Sequence, residues 1–394
     1  MAVLKSVIDE SGAIVCSYTS DGRHGPYQAN LPAKTTGSYA KQLLDVFLPA
    51  GYPHTVTPDY TPYQIYDSLQ AFSSSIAGLM SNRAVLQGFG VGKEGSSATG
   101  AVLLSVLQES TGRLATILFA HRFGQAIEPE CKYYRFMADI FNDAALLLDI
   151  LTPALPQTPK ILTLCAAGIL RSLCGVSAGA AKASLSAHFA KNGNLAELNA
   201  KDGSQETVIS LMGMLAGSLF VNFVEGTTAV WLSMIFLLGV HLWTNYQAVR
   251  SVQMRTLNRQ RTCMVVDNYM KTGGIMTPAE VAQEELILTW KSPPLTFGQT
   301  YPATLTDEQV TRSGNAPFII IFEFGGTVKI YLKKGATNFD ALRAYATAYH
   351  SYDHHPNHML PSLDDAFWKA VKSAGWNLNA GAVETGRAIR IVVE

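Results

Sequence analysis

Apolar and small residues recur at helical spacing over the middle of the chain, from about Tyr63 to Arg261, where prolines are confined to a few junctions. Two segments in this region, Val208 to Val224 and Thr227 to Thr244, contain no Lys, Arg, Asp or Glu. Each reaches the lower length limit for crossing a bilayer core of about 30 Å. The pattern predicts a mainly α fold, in which a helical bundle either lies within a membrane or forms a soluble core that is apolar all round.

Other patterns flank this helical region. Residues 1–40 mix Gly, Ser, Thr and Pro with short apolar pairs, which indicates irregular chain and weak β-strands. Residues 317–394 begin with two apolar-rich runs around a Gly-Gly pair, typical of a β-hairpin, and continue with two helical patterns and a closing strand. We therefore expect a helical domain over 41–291, a linker rich in Pro, Gly and Thr over 292–316, and a small C-terminal α+β domain over 317–394.

Charged residues are scarce and their signs are balanced. The 394 residues include 30 Lys plus Arg and 30 Asp plus Glu, so that 15% of the chain is charged and 48% is hydrophobic. Balanced charge gives no field that attracts nucleic acid, which we exclude as a default partner. Soluble domains average about 25% charged residues, so the shortage favours contact with lipid. Basic residues outside both ends of the apolar pair, with only Glu225 between its members, predict a helical hairpin with both ends in the cytosol.

The cysteines and the first residues bear on location. Five cysteines, an odd number without a C-x-x-C pair, favour a reducing compartment over a disulfide framework or a zinc ribbon. Acidic residues stand at the start of the chain where a signal peptide would be apolar, and the start lacks the Arg-rich character of a transit peptide. We expect a membrane-associated protein with no evident signal or plastid transit peptide, and the organelle stays unknown.

A cluster of ionisable residues lies on one predicted helix of the bundle. Asp139 and Asp143 are four residues apart, so both carboxylates share a face and could act as a catalytic pair or hold a cation or a proton. Lys132, Arg135 and Asn142 on the same helix are candidate ligand-binding residues. The alternative is an intrahelical ladder of ion pairs, since Arg135 lies four residues before Asp139. If the bundle lies in lipid, ionisable groups that face its interior become functional candidates.

A second set of polar residues opens the helical region. Asp59 and Tyr60 follow Pro58, and Asp67 and Gln70 lie one turn apart on a predicted helix. Asp59, Tyr60, Asp67 and Gln70 are candidate ligand-binding residues. Asp59 could instead cap the turn that follows it.

A third polar set lies just before the apolar pair. His188, Lys201 and Gln205 are candidate ligand-binding residues in a segment that could form a polar mouth above the helices, where the charged group of a ligand would bind. Asp202 or Ser204 in the same segment would be a natural helix cap, and we expect capping there rather than catalysis.

The chain does not match standard catalytic and metal-binding motifs. The glycines at 88, 90 and 92 followed by Lys93 do not satisfy the phosphate-loop pattern, so we expect a turn between helices there. The histidines at 350, 354, 355 and 358 fall mostly in a predicted surface loop with no cysteine nearby, and we expect no metal site. Neither Gly-x-Ser-x-Gly nor His-Glu-x-x-His is present to support hydrolase chemistry. The sequence leaves any cofactor unknown.

Several ordered segments along the chain form a distinctive set. The opening segment, PAGYPHTVTPDY at 49–60 followed by YQIYDSLQA at 63–71, is long and idiosyncratic. It resembles the opening signature of the root UVB sensitive (RUS) family, and the resemblance extends over nearly the whole chain. This resemblance implies membrane association and, in plants, roles in early seedling development, the ultraviolet-B response and vitamin B6 homeostasis. Further matching segments follow in the family's order: GFGVG at 88–92, ADIFND at 138–143, GVSAGAAKA at 175–183, HFA at 188–190 and NAKDGSQE at 199–206.

The resemblance implies no established reaction, and it leaves different classes of function open. The preferred one is a membrane protein that binds a small molecule or a protein partner, namely another member of the family, in its helical bundle. The rival is an enzyme of specialised metabolism, a cyclase, isomerase or transferase, that acts on a hydrophobic small molecule with Asp139 and Asp143. Direct binding of a vitamin B6 form follows only from the plant relatives, because no lysine stands out as a Schiff-base former. The chain departs from many members at Ala181-Lys182, where they have Thr-Arg.

Overall fold

Helices dominate the chain, which confirms the mainly α prediction. The structure is a computed structural model that describes residues 3–8, 14–19, 28–30, 46–88, 98–191, 193–298, 313–323, 326–354, 363–387 and 389–392. The long helices are α1 (Tyr60–Gly88), α2 (Ala98–Ile127), α3 (Cys131–Leu151), α4 (Gln157–Phe189), α5 (Leu195–Phe223) and α6 (Thr227–Ser251). Shorter helices follow: α7 (Arg259–Thr272), α8 (Pro278–Glu284), α9 (Asn338–His354) and α10 (Asp365–Ser373).

A small antiparallel sheet lies in the segment where the sequence predicts weak strands. Its strands β1 (Val3–Ile8), β2 (Ile14–Thr19) and β3 (Gln28–Asn30) are adjacent in chain order. Short loops between sequential antiparallel strands suffice for this arrangement, which needs no crossover.

A second sheet lies near the C terminus. Strands β5 (Phe318–Phe322) and β6 (Val328–Lys333) pair antiparallel, which confirms the hairpin predicted around the Gly-Gly pair. Strands β4 (Leu295–Phe297) and β7 (Arg390–Ile391) both pair in parallel with β6. The strand β4 falls inside the segment predicted as a linker, so this part of the segment belongs to the C-terminal sheet.

The chain divides into two compact units. The first comprises Met1–Met80 and Leu185–Thr244, and the second comprises Ser81–Ser184 and Asn245–Glu394. The limits fall inside α1, α4 and α6, so each unit combines segments that are distant in the sequence. The domain boundaries expected from the sequence, near residues 41, 292 and 317, divide the chain differently from these two units, and they stay predictions.

In the first unit, α1 and α5 approach each other closely at two glycines. A Cβ atom on Gly213 would lie 2.7 Å from Cβ of Ser75 and 2.9 Å from the carbonyl oxygen of Phe72. A Cβ atom on Gly217 would lie 2.8 Å from Cδ1 of Leu79. The G-x-x-x-G pair in the apolar segment therefore forms the contact between two helices, since a larger side chain would push them apart.

In the second unit, a hydrophobic core joins the C-terminal sheet to the short helices α7, α9 and α10. Ile320 and Ile330 contribute from the sheet, Tyr345 from α9 and Phe367 from α10. Ile319 belongs to a separate cluster with residues on the other side of the same sheet. Alternate residues of a strand point to opposite faces, so the apolar hairpin serves two cores at once.

Four helices are long and apolar enough to cross a membrane. Two of them, α5 and α6, extend the apolar pair predicted from the sequence. The other two, α2 and α4, escape a search for charge-free segments because residues such as Arg113 and Arg171 interrupt them. The four spans are Val102–Ile127, Gln157–Phe189, Leu195–Phe223 and Thr227–Ser251.

The apolar surface of these helices is largely uncovered. Only 6% of an apolar 18-residue segment of α2, and 11% of such a segment of α5, is buried within the protein. On α5, Leu215, Leu219 and Phe223 are all exposed. Soluble monomers rarely expose continuous apolar surface of this extent, so the four helices are compatible with membrane association.

One of the histidines near the C terminus, His354, lies in a helix and not in the predicted loop. Both His350 and His354 lie in the last turns of α9, which ends at His354. Residues 355 and 358 lie outside the described part of the chain, as do residues 89–93 of the glycine segment that follows α1. Within the described part, no group of three or more His, Cys, Asp or Glu side chains could hold a metal ion.

Candidate functional site

The segment that opens the helical region is bound to the end of α4 within the first unit. Nε2 of His188 lies 2.8 Å from Oδ2 of Asp59, and the side chains are 6% and 2% exposed. A backbone hydrogen bond of 3.0 Å runs beside this pair, from the amide of Thr57 to the carbonyl oxygen of Phe189. Two of the predicted ligand-binding residues thus contact each other, and the carboxylate of Asp59 reaches a partner far along the chain.

Tyr60 and Gln205 contact each other in the same unit, and Lys201 and Gln205 both bind the segment that precedes α1. Nε2 of Gln205 donates to the carbonyl oxygen of Phe47 at 2.7 Å and lies 3.4 Å from the hydroxyl of Tyr60. Nζ of Lys201 donates to the carbonyl oxygen of Val46 at 3.0 Å. Burial raises the pKa of Tyr60 from 10.0 to about 12, so its hydroxyl keeps its proton even in alkaline solution and can both donate and accept a hydrogen bond.

The predicted helix cap at Asp202 or Ser204 is wrong. The helix α5 already begins at Leu195, and both residues lie well inside it. Oδ1 of Asp202 accepts a hydrogen bond of 2.7 Å from Nε2 of Gln64, while the hydroxyl of Ser204 bonds within its own helix. The polar first turns of α5 thus have a partner on α1, Gln64, and the helix starts before the apolar pattern does.

Asp67 and Gln70 lie further along α1 and have other partners. The hydroxyl of Tyr63 donates to Oδ1 of Asp67 at 3.4 Å. Nε2 of Gln70 lies 3.1 Å from Nε2 of His241, a buried residue in the apolar helix α6. A buried polar group costs free energy unless it is hydrogen-bonded. The contact between Gln70 and His241 therefore offsets part of the cost of burying both side chains.

A groove beside α1 and α5 offers space for a ligand. Its volume is about 560 Å³, within the range of about 300 to 1,000 Å³ that is typical of small-molecule sites. Tyr60 and Gln205 line this groove, and none of its lining residues is charged. Its apolar walls are formed by Leu48, Ile65, Leu69, Phe72, Ile209 and Met212.

In the second unit, α3 buries its ionisable residues. Nη1 of Arg135 lies 3.1 Å from Oδ1 of Asp139, which is the intrahelical ion pair that the ladder interpretation expects. Nδ2 of Asn245 donates to Oδ2 of Asp139, and Nδ2 of Asn142 lies 3.4 Å from Oδ1 of Asp143. Both aspartates are buried, and neither lines the groove. A catalytic role for the pair stays a prediction.

A third acid on α3 has partners that the sequence did not indicate. Oδ2 of Asp149 accepts hydrogen bonds from the hydroxyl of Ser81 and the guanidinium of Arg171. The carboxylate of Asp149 is fully buried, so it needs such a partner to remain charged. Ser81 lies on α1 and Arg171 on α4, and no spacing within a single helix reveals contacts of this kind.

Lys132 forms a buried charge cluster with two residues that sequence analysis also missed. Nζ of Lys132 lies 2.7 Å from Oε2 of Glu285, and Nε of Arg261 donates to Oε1 at 2.9 Å. The three side chains are at most 4% exposed. Burial alone would raise the pKa of Glu285, but the charges of Arg261 and Lys132 outweigh it and hold this pKa at about 2.

Two helix caps place the members of this cluster. At the start of α8, Oγ1 of Thr277 accepts from the amide of Glu280, and the Glu280 carboxylate accepts from the amide of Thr277 at 2.7 Å. This capping box fixes where α8 begins, and Glu285 directly follows the last residue of this short helix. At the start of α7, Oδ1 of Asn258 accepts from the amide of Arg261 at 2.9 Å. Local sequence thus sets the backbone from which Glu285 reaches Lys132 and Arg261 reaches Glu285.

Comparison with known proteins identifies the larger group. Residues 33–273 match the family model described as the vitamin B6 photo-protection and homoeostasis domain. RUS family member 1 of Dictyostelium discoideum is 38% identical over 259 residues, which are 65% of this chain and 49% of that protein. This chain therefore spans about half the length of the Dictyostelium relative.

Plant relatives match over comparable or greater lengths. Protein root UVB sensitive 3 of Arabidopsis thaliana is 30% identical over 380 residues, 86% of each chain. Protein root UVB sensitive 2, chloroplastic, of the same plant is 29% identical over 255 residues, 63% of this chain and 57% of that protein. No solved structure matches the chain. The family model and the length of these matches show that the chain belongs to the root UVB sensitive (RUS) family.

Proposed function

We propose that this member of the RUS family is a membrane protein that binds a small neutral amphiphile in the groove of its first unit. The uncovered apolar helices support the membrane location, because contact between that surface and water would be costly. The description of the family's domain supports a role in vitamin B6 homoeostasis, to which binding of small molecules would contribute.

The groove is the observation that carries the ligand. Predicted ligand-binding residues converge there although they come from separate parts of the sequence, with Tyr60 on α1 and Gln205 on α5. The hydroxyl of Tyr60 and the amides of Gln64 and Gln205 offer hydrogen bonds to the polar end of a ligand. No lining side chain would neutralise a charge on the ligand, so an uncharged polar group fits best.

The apolar walls select the rest of the ligand and its route of entry. Leu69 and Phe72 on α1 face the groove together with Met212 on α5, one of the four apolar helices. Ile65, Leu69 and Met212 are each at least 50% exposed, so the groove is open along its side. A ligand dissolved in lipid could enter laterally and place an alkyl chain or an apolar ring against these walls.

Photolabelling tests this site. The full chain is reconstituted in phosphatidylcholine vesicles with a monoacylglycerol that carries a diazirine in its acyl chain, and labelled peptides are identified by mass spectrometry. We expect labelling concentrated on the groove segments of α1 and α5. Ser68→Trp, which fills the groove, should remove most of this labelling. Leu118→Trp, an exposed position on α2 outside the groove, is the matched control and should leave it unchanged.

Two outcomes would overturn the proposal. Labelling spread evenly over the apolar helices would show that the probe reports lipid contact alone. Labelling of the groove segments that persists in Ser68→Trp would show that the probe does not occupy the groove.

A further inference from the structure

A cavity in the second unit lies against the charge cluster of Lys132, Arg261 and Glu285. Its volume is about 370 Å³, and it is formed where the starts of α3 and α7 meet the segment that follows α8. None of its lining residues belongs to the groove of the first unit. The cavity is lined by three basic side chains, Lys132, Arg259 and Arg261, and by two carboxylates, Glu130 and Glu285. Positive charge is therefore in excess by one.

Two of the cations retain hydrogen-bond donors. Within the described part of the chain, Nζ of Lys132 bonds only to Glu285, although an ammonium group has three N–H donors. Nε of Arg259 donates to the carbonyl oxygen of Val383 at 2.9 Å, while its two Nη atoms make no hydrogen bond or ion pair to any described residue. The wall of the cavity thus presents cationic donors that no described acceptor satisfies.

The carboxylates do not balance this charge. Glu285 is shared between Lys132 and Arg261 and has both oxygens occupied. Glu130 accepts from Nδ2 of Asn258 at 2.9 Å. Burial raises the pKa of Glu130 and lowers the pKa of Lys132, so an anion beside Lys132 would stabilise the charged form of this lysine. Buried excess charge is costly unless it is paired. An anionic ligand would supply the missing partner.

The remaining walls are apolar and aromatic. Trp290 and Tyr133 line the cavity together with Ile287 and Leu288. Indole and phenol rings offer flat surfaces that pack against a planar ring. A volume near the lower limit for small-molecule sites limits the ligand to about one ring with short substituents.

We infer that this cavity binds a single-ring organic phosphate ester, with its phosphate held by Lys132 and Arg259 and its ring against Trp290. An arginine fork and a lysine point charge together match the geometry and charge of a phosphate group. Phosphorylated forms of vitamin B6 belong to this chemical class, which agrees with the description of the family's domain. The inference does not depend on the groove in the first unit, and the two sites can fail separately.

Calorimetric titration of the full chain in detergent tests this site. The probe is pyridoxine 5′-phosphate, which has no aldehyde and so forms no imine with lysines. We expect saturable binding, and roughly tenfold or greater loss of affinity for pyridoxine and for inorganic phosphate, since each lacks one half of the ligand. Arg259→Gln should weaken binding of the probe roughly 10- to 100-fold, the range for a hydrogen-bonded charge.

Matched variants separate binding from folding. Arg255→Gln removes the same charge from an exposed position outside the cavity and should leave affinity unchanged. Ser292→Trp fills the cavity from an exposed position without removing a charge and should abolish binding even if Arg259→Gln does not fold. Thermal unfolding of each variant checks that the fold is retained.

Three results would overturn the inference. The first is no saturable binding of pyridoxine 5′-phosphate at millimolar concentration. The second is an equal loss of affinity in Arg259→Gln and Arg255→Gln. The third is stronger binding of dihexanoyl phosphatidic acid than of pyridoxine 5′-phosphate, which would assign the phosphate to a lipid headgroup.

Discussion

Nε2 of His188 lies 2.8 Å from Oδ2 of Asp59, although 129 residues separate them in the sequence. Each residue belongs to a segment through which the chain resembles its family, and the Tyr60–Gln205 contact joins a further pair of such segments. These segments meet in the first unit, where their side chains bind one another and where Tyr60 and Gln205 border the groove. Mutual contact is therefore a physical reason for their distinctive residues.

Replacing His188 by Ala should destabilise the fold, because the buried carboxylate of Asp59 loses its imidazole partner. We expect a loss of about 1 to 3 kcal/mol in the free energy of unfolding. Thermal unfolding in detergent, followed by intrinsic fluorescence, measures this. His54→Ala removes an exposed histidine from the same opening segment and should change stability by less than about 0.5 kcal/mol. Equal effects of the two replacements would show that the His188–Asp59 contact contributes nothing.

Replacing Glu285 by Gln should be more damaging. The change leaves Lys132 and Arg261 buried together without the carboxylate that both bind. Removing one partner of a buried ion pair costs about 3 to 5 kcal/mol. The control is Glu284→Gln, at the exposed neighbouring position, with an expected effect below about 0.5 kcal/mol. A Glu285→Gln protein that unfolds at the same temperature as the wild type would refute this view of the cluster.

The stability of the wild type should depend on pH through Glu285. Its pKa is about 2 in the folded protein, against 4.5 for an unperturbed glutamate. Because the folded value is the lower one, the ion pairs stabilise the protein fully above pH 4.5, and this stabilisation is lost as the pH falls from 4.5 toward 2. Unfolding curves across this range should show a steeper loss for the wild type than for Glu285→Gln. Parallel losses would rule out Glu285 as the titrating group.

Two glycines of α5 should respond oppositely to alanine. A Cβ atom on Gly213 would lie 2.9 Å from a carbonyl oxygen of α1, so Gly213→Ala should cost about 1 to 3 kcal/mol through overpacking. Gly203 has nothing within 4 Å of the added atom, and Gly203→Ala should stabilise the helix by up to about 1 kcal/mol. Unfolding of both variants in detergent measures the difference. Stabilisation by both would mean that α1 and α5 do not pack closely at Gly213.

Helical periodicity predicts much of this fold because each long helix repeats its apolar residues every turn. A search for charge-free segments, however, finds only two of the four apolar helices that the structure contains within its described residues. Arg113 interrupts α2, but its Nη2 atom lies 3.5 Å from Oε2 of Glu109, one turn earlier. Arg171 interrupts α4, but its guanidinium binds the buried carboxylate of Asp149. A count of charges along one helix takes no account of such pairing, so it rejects helices whose charges are compensated.

The candidate sites were predictable in part. Residue type and clustering selected Tyr60, Gln205 and Lys132, which line the two cavities. Glu285 escaped notice because 153 residues separate it from Lys132, and only the packing of the second unit brings the two together. Asp139 and Asp143 drew attention by their spacing, yet spacing does not determine whether a carboxylate faces a cavity. Contacts between distant segments supply that information.

The exposed apolar faces of α2, α4, α5 and α6 make the location of the chain the most direct point to measure. Membranes from cells that express the full chain are washed with alkaline sodium carbonate and separated by ultracentrifugation. If these helices span lipid, the chain stays in the pellet and is released only by detergent. Recovery of the chain in the carbonate supernatant would contradict a membrane-spanning bundle.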